Sequence, residues 1–145
     1  MSDHVEVIER IAATSVELAE AVGRLCVQLT AAPVPDREAI GRVLDGGAHM
    51  VVARVDGTIV GMGFVIIATA LTGTTAHVED VVVDADARGR GIGERLMLEL
   101  IEAARSEDAD EMTLTSRPSR EAANRLYRRL DFRLGGTNYY SLDLG

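Results

Sequence analysis

Val81-Val82-Val83-Asp84-Ala85-Asp86-Ala87-Arg88-Gly89-Arg90-Gly91-Ile92-Gly93 decides how this chain is read. A valine run of the kind that fits a buried strand passes into a turn of alternating glycines. The chain then enters a helical pattern over Ile92–Ser106, with Ile92, Leu96, Leu100 and Ala104 on one face. Glycine admits positive φ and lets a ligand approach the backbone closely. The first N–H groups of a helix have no partner within it, and they lie at the positive end of the helix dipole. Together they make an anion site, and Arg88 and Arg90 add full positive charge. In a chain of net charge −8, this local basic cluster points to phosphate.

Three phosphate-binding patterns compete for the stretch. A P-loop ends in Gly-Lys-Ser/Thr, which Ile92-Gly93-Glu94 does not supply. The dinucleotide fingerprint needs Gly-x-Gly-x-x-Gly, whereas the spacing here is Gly89-x-Gly91-x-Gly93, and the flanking strand order is not doubly wound. The third pattern, Arg-x-x-Gly-x-Gly, is matched by Arg88, Gly91 and Gly93.

Working outward, Val5–Ile11 alternates as a half-buried strand does. Thr14 or Ser15 can cap a helix through Leu29, with Leu18, Val22, Leu25 and Leu29 at helical spacing. Pro33 and Pro35 break it, and Asp36 can cap a second helix, Arg37–Leu44, closed by Gly46-Gly47. Strands His49–Val55 and Thr58–Ala68 flank the Asp56-Gly57 hairpin signal. Ala76–Val83 and Glu111–Thr115 read as strands on either side of the Ile92–Ser106 helix, which calls for a parallel crossover. Pro118 and Ser119 open a helix through Leu130, and a last strand is expected over Thr137–Leu144. The sum is a mixed, mostly antiparallel α/β sheet with helices on both faces.

The 145 residues are read as a single domain, 1–145, and a 47% hydrophobic share is enough for a buried core. The negative charge opposes nucleic acid and mildly favours cationic amines. A single cysteine, Cys26, excludes an internal disulfide and any multi-cysteine metal site, so no metal is expected. It falls in a helical run and reads as a small buried apolar residue. The uncharged stretch Gly57–Ala76 contains Gly61, Gly63 and Gly73, so it reads as strand and turn rather than a membrane span. The start, Met1-Ser2-Asp3-His4-Val5-Glu6, lacks a signal-peptide pattern, and a cytoplasmic location is expected.

With its Arg-x-x-Gly-x-Gly turn after a Val-rich strand, and with this element order, the chain resembles the GNAT superfamily of acyl-CoA-dependent N-acyltransferases over almost its whole length. The resemblance implies acetyl-CoA as acyl donor. It implies that the backbone amides of Arg88, Gly89, Arg90, Gly91, Ile92 and Gly93 hold the coenzyme A pyrophosphate. The strand Val81, Val82, Val83 would carry the pantetheine arm, paired to the backbone of Val81 and Val83 as an added strand. For that, Val78–Val83 must splay from its parallel neighbour, Glu111–Thr115, and the gap would be the acyl-CoA cleft.

Acyl transfer to an amine needs a base for the ammonium proton and an acid for the departing thiolate. Arg125-Leu126-Tyr127-Arg128-Arg129-Leu130-Asp131-Phe132 resembles the family pattern Leu-Tyr-x-x-x-Gly-Phe, so Tyr127 is the candidate acid. Glu79 is the candidate base, amid an apolar run, with Asp80 beside it and His77 two residues earlier on the same face as Glu79. Strand alternation would send Glu79 and Asp80 to opposite faces. Asp80, His77 and Tyr139 are the candidate acceptor-binding residues. The family's usual asparagine, seven residues before the tyrosine, is replaced by Arg120, so that contact is not carried over; an arginine there could instead reach a coenzyme A phosphate, and Asn124, three residues before Tyr127, is with Tyr127 a candidate coenzyme A-binding residue. The expected partner is a small-molecule or peptide amine attacking directly in a ternary complex, with no nucleic acid and no membrane. Similar proteins are commonly homodimers. The competing reading keeps the fold without turnover, as a coenzyme A-binding sensor or regulatory module.

Overall fold

The alternation of the chain's strands sorts its apolar residues onto two faces of one sheet. The computed structural model describes residues 6–145, so Val5 and the chain start lie outside the described residues. Strand β1 is Glu6–Ile11, followed by helices α1, Val16–Leu29, and α2, Arg37–Asp45. Strands β2, His49–Val55, β3, Thr58–Ala70, and β4, Gly73–Val83, come next. A 3-10 turn at Ala85–Ala87 leads to α3, Ile92–Ser106, then β5, Glu111–Thr113, and α4, Glu121–Arg129. The sheet order is β1-β2-β3-β4-β5, antiparallel except for the parallel β4–β5 pair. This is the expected mixed sheet, with α3 as the expected crossover.

On β2, Met50 and Val52 join Ile59, Met62 and Val82 beneath Leu18, Ala21, Val22, Leu25 and Cys26 of α1 and Ile40 of α2. Cys26 is buried there, as its apolar setting predicts. Val51 and Ala53, one residue out of phase, face α3. Glycine lets α3 lie close to β3. A Cβ at Gly61 would stand 3.1 Å from Leu96 Cδ1, and one at Gly63 would stand 3.3 Å from Leu100 Cδ1 and 2.9 Å from Val81 Cγ2. The β2–β3 hairpin turns on Asp56 and Gly57, both at positive φ, as a tight primed turn requires. Among the described residues, no helix is long and apolar enough to cross a membrane.

The chain divides into two compact units, Met1–Thr115 and Ser116–Gly145. The second holds α4 and an edge-to-face pair between Tyr127 and Phe132, with ring centroids 6.0 Å apart. Asp131 takes the left-handed conformation (φ 69°) at the helix end, which aspartate tolerates better than most residues. Two expectations fail here. The helix starts at Glu121 rather than Pro118, because the Arg117–Arg120 stretch forms a turn closed by Arg120 N–H to the Arg117 carbonyl. The strand expected over Thr137–Leu144 does not form, and residues 132–145 carry neither helix nor strand. Alternation supplies a face but not a neighbour, and this unit contains no other strand to take the backbone hydrogen bonds.

Candidate active site

The β4–β5 pair opens into a fork. Its register runs Thr75↔Glu111, Ala76↔Met112 and His77↔Thr113, and there it ends. β4 continues through Val83, so Val78–Val83 pairs with no strand on the β5 side among the described residues. The expected splay is present, and β5 stops two residues earlier than expected because its partner has moved away.

The far end of the fork reaches the start of α3. Gly89 and Gly91 both have positive φ, 81° and 76°. An added Cβ at either would meet no heavy atom within 4 Å, so the space before the turn is open. Gly91 is the N-cap of α3, and no side chain caps the helix. Its leading N–H donors are thus left for something else. The turn is braced from outside: Gln28 Oε1 accepts the Ala85 N–H at 2.9 Å, and Asp84 Oδ1 accepts the Asp86 N–H at 3.0 Å. Arg88 Nε donates to the Val83 carbonyl at 3.0 Å. Val83 therefore already uses one of its carbonyl lone pairs. Arg90 is exposed and has no ion-pair partner among the described residues. Open glycines, an uncapped helix start and two arginines fit a pyrophosphate.

At the other end of the unpaired segment, alternation breaks. The β3–β4 register shifts between Met62 and Phe64, and Asp80 sits at φ 52°, in the left-handed region. Glu79 stands opposite Phe64, which packs on the α1 side of the sheet. The Asp80 charge reaches Cys26 of α1, whose thiol is pushed up first by burial and then by that carboxylate. The expectation that the two acids face opposite sides is therefore corrected, because the bulge turns Asp80 out of the period-two pattern. Both carboxylates stay accessible, and neither has a hydrogen-bond or ion-pair partner among the described residues. Partial withdrawal from water raises Glu79 above the usual carboxylate range. Repulsion from Asp80 adds to the rise, and His77 works against it. Desolvation raises Asp80 as well. His77 Nδ1 is in hydrogen-bond contact with Thr113 Oγ1, 2.5 Å away.

In the second unit, Tyr127 is the buried residue of α4, and burial raises its phenol while Arg120 pulls the other way. Asn124 donates from Nδ2 to the Arg117 carbonyl at 3.0 Å, so its amide holds the preceding turn. Tyr139 is 79% exposed. The first unit thus brings His77, Glu79, Asp80, Val81–Val83 and Arg88–Gly93 onto one strand, turn and helix start, while Tyr127, Asn124 and Tyr139 belong to the second. Sequence reasoning missed Gln28 and Thr113. No local pattern marks either one, since each acts on a residue far away in sequence.

The family model described as Acetyltransferase (GNAT) family matches residues 17–132. Glucosamine 6-phosphate N-acetyltransferase 1 of Oryza sativa subsp. japonica is 38% identical over 79 residues, which are 50% of this chain and 48% of that protein. A probable glucosamine 6-phosphate N-acetyltransferase 2 of the same plant is 46% identical over 50 residues, 34% of this chain and 30% of that protein. The matches thus span about half the length of these curated relatives, or less. Among solved structures, a Trypanosoma brucei acetyltransferase superposes with TM-score 0.75 at 28% identity, covering 95% of this chain and 100% of that one. The glucosamine-6-phosphate N-acetyltransferase of Arabidopsis thaliana gives TM-score 0.73 at 19% identity, covering 94% and 98%.

Proposed function

Since the chain belongs to the acetyltransferase (GNAT) family, we propose that it transfers the acetyl group of acetyl-CoA to a primary amine of a small molecule. The observation that carries this reading is the β4–β5 fork ending at an uncapped, glycine-opened helix start. The amides from Arg88 to Gly93 hold the pyrophosphate, and the free edge of Val81–Val83 takes the pantetheine arm. An amino-sugar phosphate is the first acceptor to test, since the rice relatives carry that activity in their names.

Glu79 accepts a proton from the acceptor ammonium. The freed amine attacks the thioester carbonyl, the C–S bond breaks, and Tyr127 gives its phenolic proton to the departing sulfur. The phenol carries its proton at neutral pH, as an acid must, and Arg120 offsets part of the rise from burial that would otherwise weaken it as a donor. Raised basicity at Glu79 makes it a better proton acceptor than an ordinary carboxylate.

Free-thiol release over an amine panel that includes glucosamine 6-phosphate tests the reading. Tyr127→Phe is expected to lower kcat by about a hundredfold, the low end for loss of a general acid, with acetyl-CoA affinity unchanged. Unchanged kcat removes Tyr127 as the acid. Tight acetyl-CoA binding without turnover on any amine returns the chain to the sensor reading.

A further inference from the structure

We infer that Thr113 is a positioning residue for the acceptor side of the transfer, holding the His77 imidazole at the mouth of the β4–β5 fork so that Nε2 meets the incoming amine beside Glu79. The inference rests on the acetyltransferase reading above and extends it to a residue that no motif marks.

Place comes first. His77↔Thr113 is the last rung of the parallel ladder, so these are the final side chains that the two strands hold together before they part. Both are half-buried. Glu79 follows His77 by two residues along β4, on the same side of the sheet. An imidazole in this position borders both the cleft and the candidate base.

Orientation comes next. Nδ1 is engaged by Thr113 Oγ1, and Nε2 has no partner among the described residues. Across the sheet, His77 stands opposite Ile66, and β3 has no titratable side chain from Thr58 to Ala70 that would compete for the ring. Along β4 the next titratable residues are Glu79 and Asp80, on β5 Glu111 lies two positions before Thr113, and on α1 Cys26 feels the Asp80 charge. In a neutral imidazole, the hydrogen bond made by one nitrogen fixes the role of the other. With Thr113 accepting from Nδ1–H, Nε2 keeps its lone pair and accepts a hydrogen bond from the acceptor ammonium. Glu79 then takes the transferred proton. Thr113 itself touches no reacting atom.

Thr113→Val keeps the β-branched shape that suits a strand and removes the hydroxyl, whereas Thr113→Ser keeps the hydroxyl. In the valine variant the acceptor KM is expected to rise about tenfold, the size of one ordinary hydrogen bond. Acetyl-CoA Kd is expected to stay unchanged, and the serine variant to restore KM. Nitrogen-15 NMR of the His77 ring is expected to show the Nδ1–H tautomer in the native chain and in Thr113→Ser, and its loss in Thr113→Val. An unchanged KM or tautomer in Thr113→Val overturns the inference while native turnover stands. So does an equal loss of acetyl-CoA affinity, which marks a distorted sheet. If the native chain binds acetyl-CoA but turns over no amine, the acetyltransferase reading fails and takes this inference with it.

Discussion

The helices on the two faces of the sheet begin in opposite ways. α1 starts at Ser15, whose hydroxyl accepts the Leu18 N–H at 3.1 Å, and α2 starts at Asp36, whose carboxylate accepts the Ala39 N–H at 2.8 Å. α3 starts at a left-handed Gly91 and has no side-chain cap. A cap contributes about 1 kcal/mol, so leaving it out weakens a helix that only has to pack. α3 packs as well as the others do, with Leu96, Met97 and Leu100 fully buried. The difference therefore lies in what its first N–H groups face: open space in front of Gly89 and Gly91. One kind of helix start is closed for stability, and the other is left open for an anion.

The sharpest way to break this contrast is to close α3. Asp occupies the left-handed region at Asp56, Asp80, Asp108 and Asp131 in this chain, so Gly91→Asp is tolerated by the backbone. Its carboxylate would stand where the pyrophosphate binds, and like charges in contact cost several kcal/mol. Acetyl-CoA affinity, read by calorimetry, is expected to fall about a hundredfold or more, with the circular dichroism spectrum intact. Unaltered affinity would place the pyrophosphate elsewhere.

The opposite operation opens the closed starts. Ser15→Ala and Asp36→Ala are each expected to cost about 1 kcal/mol of stability, seen as a lower urea midpoint at unchanged slope. Acetyl-CoA Kd is expected to stay the same in both. A weaker Kd in either variant would mean that all the helix starts are coupled to the ligand, and the contrast would dissolve.

The sequence revealed what depends on short range. The Val81–Gly93 strand, turn and helix start, the Ser15 and Asp36 caps and the Asp56-Gly57 hairpin are each dictated by neighbours in the chain, and each is found where expected. It failed where a distant partner decides. Thr137–Leu144 has a strand's alternation without a strand's neighbour. Asp80 leaves the period-two pattern because β4 carries a bulge against β3, and no residue type announces that bulge. Asp at positive φ is tolerated but not demanded, so the sequence allowed the left-handed turn without requiring it. Thr113 and Gln28 matter only because His77 and Ala85 come to lie beside them.

Carboxylates repeat the contrast between closed and open. Asp36 satisfies a backbone N–H, whereas Asp80 has no hydrogen-bond partner among the described residues and acts on Glu79 by repulsion. Removing that charge is the mildest test. Asn also tolerates the left-handed conformation, so Asp80→Asn keeps the bulge. Asp80 repulsion raises Glu79, so its loss lowers Glu79 toward the ordinary carboxylate range. A base works only when deprotonated, so the acid limb of kcat/KM is expected to move to lower pH. The move is partial, because desolvation, the larger cause, remains. Salt separates the two causes further. Glu79 and Asp80 are exposed, so added salt screens their repulsion and the native limb should drift toward that of the variant, whereas the variant, left with only the smaller and opposite influence of His77, should move less and not in that direction. A limb that ignores both the substitution and the salt would mean that the titrating group is not Glu79, and Glu79→Gln would then leave the profile intact as well.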